Sequence, residues 1–264
     1  MKRKILFLNF CIILFLFNKV YAEDFFFEGD EIEIINNGEV LKSKKGVKII
    51  SKSGIIITSQ EFEYNKNNSE LSVETNVLVD DKPNNLILKT SKLKYSKTID
   101  QIQTFGDTEI IFENNIIIRT KNLIYSRKSN EISSKHKTIV IDNFQNNFNS
   151  EDFIFNTTNK ILKSKNVILK DRDGNISFFE SFFSDIGKNE FYGKDIRINF
   201  SEKSFGNKLN EPRLYGNSIE FKNNNSVVSK GIFTTCKKRD GCPPWTLKAD
   251  KIVHDKEKKT INYL

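Results

Sequence analysis

The chain has 264 residues, of which 42 are Lys or Arg and 34 are Asp or Glu, and its formal net charge is +8. Four of the basic residues and no acid lie in residues 1–22, so the remainder has 42 − 4 = 38 basic and 34 acidic residues and a net charge of +4. This charge is spread along the chain, whereas nucleic-acid binders concentrate basic residues in a patch or stripe. The composition therefore argues against a nucleic-acid partner and suits an anionic lipid or membrane better.

The first element has the pattern of an export signal. Residues 2–4 are basic, residues 5–17 are almost wholly apolar, and Ala22 ends a small-residue cleavage site. This apolar run is shorter than the ~20 residues that a membrane-spanning helix needs. We expect residues 1–22 to be a signal peptide, with an uncleaved anchor as the alternative, and residues 23–264 to form one exported domain.

A repeat of about 30 residues follows the signal and occupies most of the chain. Its unit reads apolar-x-small-x-x-apolar-x-aromatic. The second apolar position recurs at intervals of 31, 30 and 30 residues, and the aromatic position lies two residues later: Phe62 and Tyr64, Leu93 and Tyr95, Leu123 and Tyr125, Phe153 and Phe155. One period upstream the same positions are Ile32 and Ile34. The copy near Phe182 is degenerate, and an insertion is expected between Ser201 and Pro212.

A second apolar series stands about fifteen residues after each unit. It alternates with polar residues at period two, which predicts strands with one apolar face: Val47, Ile49, Val77, Val79, Ile110, Val140, Val167, Leu169, Ile196, Ile198. Clusters of Asn, Asp and Gly between the series predict turns, as at residues 36–38, 65–68 and 171–174. Each period thus supplies two strands of an all-β fold, and no helical periodicity is found after the signal.

Two arrangements bury such a series of apolar faces. One is a regular β-solenoid, and the other is a rolled stack of antiparallel strands with apolar side chains inside. Eight layers at ~4.8 Å each would make a body ~40 Å long. The inward aromatic residues are either ordinary core or the lining of an apolar groove. Large side chains at the same place in every layer favour the groove, because they are hard to pack into a tight core.

The C-terminal stretch carries a family resemblance. Residues 231–255 contain Thr235-Cys236, Cys242-Pro243-Pro244, and Trp245-Thr-Leu-Lys-Ala249. This segment resembles the one that closes the N-terminal domain of LptD-type lipopolysaccharide-assembly proteins. The upstream repeats look like the OstA-like module of the LptA, LptC and LptD superfamily, which covers roughly residues 27–264.

The resemblance implies a fold, a cargo and partners. The fold would be an OstA-like β-jellyroll, an open stacked antiparallel β-roll of about eight repeats. Its interior would carry lipopolysaccharide acyl chains from an LptA-like periplasmic bridge toward an LptD-type outer-membrane barrel with its LptE-type lipoprotein. The protein would then be periplasmic and associated with the outer membrane. The predicted groove residues are Ile32, Ile34, Phe62, Tyr64, Leu93, Tyr95, Leu123, Tyr125, Phe153 and Phe155.

The two cysteines that remain after signal cleavage, Cys236 and Cys242, predict a structural disulfide in an exported chain. They would bond to each other or to cysteines of a barrel, and the resemblance favours the barrel. Two thiols without a nearby histidine are too few for a zinc site. His254 takes a repeat position held elsewhere by Tyr or Phe, which predicts a half-buried structural residue.

No catalytic motif is recognised, so we predict a non-enzymatic protein without a cofactor. The chain stops where LptD-type proteins continue into their barrel. A free-standing LptA-like carrier is therefore one alternative, and a β-solenoid adhesin or structural protein without lipid cargo is another. A β-solenoid lyase or glycosidase would need convergent carboxylates on one face.

Overall fold

The structure is a computed structural model that describes residues 25–113, 115–201, 210–238, 241, 243–255, 257–258 and 260–264. The predicted signal peptide lies outside the described residues, so its cleavage stays a prediction. No helix in the described part of the chain is long and apolar enough to cross a membrane. Apart from two short 3-10 turns, Asn36–Gly38 and Lys82–Asn84, the regular structure there is β-strand.

The described residues form 21 strands, all joined by antiparallel pairing in a single sheet. The strands are β1 Phe25–Glu28, β2 Glu33–Ile35, β3 Val40–Ser43, β4 Val47–Ser51, β5 Ile55–Ser59, β6 Glu61–Asn65, β7 Glu70–Asp81, β8 Leu86–Ser96, β9 Gln101–Phe112, β10 Ile116–Lys121, β11 Ile124–Ser126, β12 Glu131–Ser134, β13 Thr138–Ile141, β14 Asn147–Asn156, β15 Ile161–Lys170, β16 Ile176–Asp185, β17 Glu190–Asn199, β18 Arg213–Lys222, β19 Asn225–Thr234, β20 Leu247–Asp255 and β21 Thr260–Tyr263.

The sheet is folded lengthwise into two walls that face each other. Wall 1 begins with β1, β4 and β5, continues through one half of each long strand, and includes β10 and β13. Wall 2 begins with β2, β3 and β6, continues through the other halves, and includes β11, β12 and β21. Ring contacts connect the walls, as between Phe112 of wall 1 and Phe155 of wall 2, whose centroids are 5.5 Å apart.

We call the fold line the corner and the opposite, open side the seam. Bulges mark the corner: the register shifts between Glu74 and Val77 of β7 and between Thr90 and Lys92 of β8. Several corner residues have φ near +50° to +90°, including Asn76, Gly106 and Asn166. Gly and Asn tolerate this left-handed region, and an extra residue in one strand bends it. The chain reverses direction in turns along the seam.

The interior between the walls is the apolar core, and it contains both sequence series. Each predicted inward position of the second series is buried, from Val47 and Ile49 to Ile196 and Ile198. The degenerate copy also places Phe182 inside. The connection from β17 to β18 runs over residues 200–212, where the insertion was expected, and its residues 202–209 lie outside the described part.

The antiparallel pairing confirms the all-β rolled stack and rules out the solenoid alternative. The expected length of ~40 Å was wrong, because each repeat adds two levels to each wall. Wall 1 has about fifteen levels in the described residues, so at ~4.8 Å per level the roll is on the order of 70 Å long.

Candidate functional site

The roll opens into a groove between the walls of its C-terminal half, which we define as β14 to β21. This groove has a volume of about 860 Å³. In wall 1 its lining is one row of paired residues: Phe148, Leu169, Ser177, Ile198, Leu214, Phe233. In wall 2 it is the row Ser184, Phe191, Phe221, Ser226, His254, Ile261. The size and apolar lining suit an apolar ligand with several carbon chains.

The groove exists because small residues interrupt both rows. Ser177 of wall 1, and Ser184 and Ser226 of wall 2, stand where the preceding strands carry Ile, Leu, Val, Tyr or Phe. A serine is several methylene groups smaller than these residues, so each one leaves unfilled space beside the row, although Phe148 of wall 1 still contacts Phe182 of wall 2 nearby. In a sequence, a serine is usually interpreted as a polar surface residue. Only the repeat register places these three serines on the inner face, so their role could not be predicted from residue type.

The mouth of the groove lies at the seam, and the described charged residues that line it are mostly acidic. It carries Asp142, Asp171, Asp173 and Glu257 against Arg172. The Asp142 carboxylate accepts hydrogen bonds from the backbone N–H groups of Phe144 and Asn146 at 2.9 and 2.8 Å, within its own turn. Burial nevertheless raises the pKa of Asp142 above its ordinary value. His254 is half-buried at the groove wall, which confirms the predicted half-burial of this residue.

The N-terminal half, which we define as β1 to β13, is filled with side chains instead. The same two rows there are continuous apolar residues, such as Ile57, Val79 and Leu88 in wall 1. Phe25 of wall 1 contacts Tyr64 and Tyr95 of wall 2, with ring centroids 5.2 and 5.7 Å away. The space between the walls is therefore occupied.

Six predicted groove residues lie in this filled interior and are buried: Phe62, Tyr64, Leu93, Tyr95, Leu123 and Tyr125. Phe153 and Phe155 are also buried, but they belong to β14 of the C-terminal half, and neither is among the residues that line the groove. Ile32 is partly buried against the core. Ile34 is 66% exposed, because β2 is the edge strand of wall 2 among the described residues and pairs there only with β3. Its register is nevertheless that of the inner row, since Ile34 pairs with Leu41 and Leu41 pairs with Tyr64. Lipid contact at these positions stays a prediction.

A buried ionic network, which we call the seam latch, closes the N-terminal half. Arg127 follows β11 and binds Asp81, at the end of β7, through Nε and Nη2 at 2.8 and 3.2 Å. Its Nη1 donates to both carboxylate oxygens of Asp100 at 3.2 Å. The Asp81 side chain is 0% exposed and the Arg127 side chain 7%. The latch thus ties wall 1 to wall 2 across the seam.

Two tyrosines of the inner row complete the latch. The Tyr125 hydroxyl donates to Asp81 at 2.9 Å, and the Tyr95 hydroxyl donates to Asp100 at 2.5 Å. Burial and the neighbouring carboxylates raise the pKa of both tyrosines well above the ordinary value. Burial opposes the charge of Arg127, but its bonds to Asp81 and Asp100 outweigh this and raise its pKa. Arg127 therefore stays charged and the two tyrosines stay neutral at neutral pH.

The latch is not repeated in the next levels. The Arg127 N–H donates to the Asp100 carbonyl, and equivalent bonds follow from Thr157 to Asn130 and from Ile186 to Lys160. Thr157 and Ile186 thus take the place of Arg127 and carry no charge. One half-exposed bridge, Lys160–Glu113 at 2.7 Å, still spans the seam at the boundary between the halves.

The ion pairs described farther along the chain each lie within one wall or one turn: Lys188–Asp185, Lys222–Glu190 and Lys258–Asp255. The acids at the seam of wall 1 also bind locally. Asp171 accepts from the backbone and side-chain nitrogens of Asn175 at 2.8 Å, instead of reaching the opposite wall. The seam of the C-terminal half is held less tightly for this reason.

The cysteine segment lies beyond the end of β19. Cys236 is half-buried, and its Sγ lies 4.0 Å from the Trp245 carbonyl oxygen. Cys242 lies outside the described residues, so the disulfide stays a prediction. No group of three or more His, Cys, Asp or Glu side chains in the described ranges could hold a metal ion.

The geometry defines a class of protein: an all-β rolled sheet with an apolar groove in one half. No protein-family model and no curated protein matches the chain. Among solved structures it is similar to LptH from Pseudomonas aeruginosa, described as the LptA homologous periplasmic component of the conserved lipopolysaccharide transport device. The TM-score is 0.31 at 13% identity, over 53% of this chain and 81% of that chain. The fold assignment above therefore depends on the strand pairing of this chain alone.

Proposed function

We propose that the protein is a non-enzymatic periplasmic carrier that binds lipopolysaccharide acyl chains in the C-terminal groove and passes them toward an outer-membrane barrel. The observation that carries this proposal is the groove itself, whose inner rows of Phe, Leu and Ile are interrupted by serines. Acyl chains gain about 0.8 kcal/mol for each CH₂ removed from water, so the groove is a favourable place for them. The resemblance of residues 231–255 to LptD-type proteins supports the choice of cargo.

The acidic mouth constrains how such a lipid would lie. Among the described residues that line it, Asp142, Asp171, Asp173 and Glu257 outnumber Arg172. Phosphate groups placed at the mouth would be repelled, since like charges in partly buried sites interact strongly. We therefore expect only the acyl chains to enter between the walls, with the lipid phosphates beyond the mouth.

Site-specific photo-crosslinking in a lipopolysaccharide-producing Gram-negative cell tests the proposal. A photoreactive phenylalanine analogue replaces Phe221 in the groove, Tyr95 in the filled half, or Glu220, whose side chain points away from the interior. We expect lipopolysaccharide adducts at Phe221 and none at Glu220. Additional adducts at Tyr95 would extend the lipid path into the N-terminal half, where the sequence analysis predicts groove residues. A folded, exported protein without an adduct at Phe221 would refute the carrier role.

The filled N-terminal half favours a second candidate function, a structural protein without lipid cargo. Its rows of buried Ile, Leu, Val and Tyr resemble an ordinary core. The same crosslinking experiment separates the two candidates, because a structural protein would give no adduct at any of the three positions.

Delivery to a barrel has its own test. We propose that Cys236 and Cys242 form structural disulfides, either with each other or with a barrel protein, and that residues 1–22 are removed on export. Non-reducing electrophoresis and mass spectrometry of the exported protein identify both the cysteine partners and the new N-terminus. A Cys236–Cys242 bond in an otherwise monomeric protein would favour the free-standing carrier.

A further inference from the structure

The outer face of wall 2 carries a depression that the proposed carrier function does not use. It has a volume of about 750 Å³ and extends across strands β11 to β17. One row of paired, outward residues crosses it: Ile124, Ser133, Ile154, Lys163, Phe183, Tyr192. Ile154, Phe183 and Tyr192 are each 41% exposed. Apolar side chains thus lie together on a surface that faces away from the core.

Lysines lie within and beside this outward row, which we call the apolar row after its Ile, Phe and Tyr side chains. The depression is lined by Lys135, Lys163, Lys165 and Lys194, and its acids are Glu131 and Asp152. Lys165 and Lys194 both pair with Ser181, so they stand two strands apart, about 10 Å, beside the row. The four lysines are exposed, and the described ion pairs include none of them.

The same face of wall 2 is different in the N-terminal half. The outward row there is polar and continues from Lys42 through Glu63, Ser72 and Lys94 to Gln103. Its lysines are bound to acids: Lys42 to Glu33 at 3.1 Å, Lys94 to Glu70 at 2.8 Å, and the adjacent Lys92 to Glu74 at 2.5 Å. On this face, the three lysines of the N-terminal half thus form ion pairs, whereas the four lysines of the depression take part in none of the described ion pairs.

We propose that this depression is a docking surface for a bilayer rich in anionic phospholipid. The lysines contact lipid phosphates, each contributing about 1 kcal/mol near an anionic surface. Phe183, Tyr192 and Ile154 enter the headgroup region, where aromatic and aliphatic side chains of surface-bound proteins reside. The acidic groove mouth lies at the seam and does not take part, so the docking surface and the groove act independently.

Vesicle flotation of the purified protein tests the docking surface without any lipopolysaccharide. The vesicles contain phosphatidylglycerol and phosphatidylcholine in equal amounts, or phosphatidylcholine alone. We expect flotation with the anionic vesicles only, and its loss at high salt. The variant Lys163→Gln/Lys165→Gln/Lys194→Gln should bind on the order of 100-fold more weakly, about fivefold for each lysine. The variant Phe183→Ser/Tyr192→Ser should bind at least tenfold more weakly while keeping the charge.

The matched control is Lys42→Gln/Lys92→Gln/Lys94→Gln, which removes the same net charge from the same outer face. Its binding should fall less than threefold. Equal losses in the two triple variants would overturn the proposal, because binding would then follow net charge alone. Unchanged binding in the aromatic variant would do the same, since it would leave the apolar row without a role. Circular dichroism checks that each variant is folded.

A second control lies on the outer face of wall 1. There Phe178, Tyr215 and Ile232 form a similar outward row, but Arg197 stacks on the Phe178 ring, with its guanidinium carbon 5.9 Å from the centroid. Tyr215→Ser should therefore leave vesicle binding unchanged. A protein that floats equally with neutral vesicles, or with none, would also contradict the proposal. Binding to an acidic protein segment in place of vesicles would assign the surface to a protein partner instead.

Discussion

The N-terminal and C-terminal halves of the roll share one repeat and one strand pairing, but they enclose different interiors. In the N-terminal half the inner rows are unbroken apolar residues, and the seam latch of Arg127, Asp81 and Asp100 connects the walls. In the C-terminal half, serines break the rows and uncharged residues replace the arginine. Small changes at repeated positions therefore convert a packed core into a groove without altering the backbone plan.

The two halves also differ in how much they contribute to the stability of the fold. More of the buried apolar side chains lie in the filled half, so it contributes the larger share of the free energy gained from apolar burial. The open half forgoes part of that free energy, since groove walls pack against each other less completely. The N-terminal half can then serve as the rigid support of a more adaptable C-terminal groove.

The largest effect is expected from breaking the seam latch. Arg127→Met leaves the fully buried Asp81 without its cation, and removal of one partner of a buried pair costs about 3–5 kcal/mol. Urea denaturation measures the loss. Arg119→Met is the matched control, because Arg119 pairs with Glu109 on the exposed surface, where such pairs are worth ~0.2–1 kcal/mol. Equal losses would show that Arg127 is not the main connection between the walls.

The next effect compares one leucine from each half. Leu88 is fully buried in the filled half, so Leu88→Ala should cost about 3–4 kcal/mol through lost transfer energy and a new cavity. Leu214 lines the groove, where empty space already adjoins it. Leu214→Ala should therefore cost only the transfer part, roughly 1.5–2 kcal/mol. Equal free energies of unfolding for the two variants would mean that the C-terminal half is packed as tightly as the N-terminal half.

A third variant fills the groove. Ser226→Leu places an apolar side chain between Phe221 and His254 in the inner row of wall 2. Cavity filling typically raises stability by about 0.5–2 kcal/mol. Binding of a fluorescent fatty acid should decrease at least tenfold, measured by titration against the unmodified protein and Ser226→Ala. Unchanged binding in the leucine variant would locate the apolar ligand elsewhere.

The smallest effect concerns the bridge at the boundary of the halves. Lys160 and Glu113 are both about one-third exposed, so a double-mutant cycle with Lys160→Gln and Glu113→Gln should give a coupling of about 0.3–1 kcal/mol. The coupling should shrink in 1 M salt, where the screening length falls to ~3 Å. A coupling that salt leaves unchanged would indicate a buried connection like the seam latch.

The sequence by itself determined the all-β class, the repeat register, and the inner face of the strands that carry the two apolar series. These follow from period-two alternation, which depends on local backbone geometry. The same alternation correctly assigned Ile34 and Tyr64 to one inner row, although Ile34 ends at the open edge of the sheet. It also predicted the half-buried His254.

Only the tertiary structure decided where the interior is filled and where it is open. Whether Tyr95 and Tyr125 line a groove depends on the distance to the opposite wall, and residues far apart in the chain set that distance. No sequence pattern predicts the contact of Arg127 with Asp81 and Asp100, because these residues meet only when the sheet folds at the corner. The role of the groove serines also depends on the tertiary structure. A small inward residue leaves space only where no side chain of the other wall fills it.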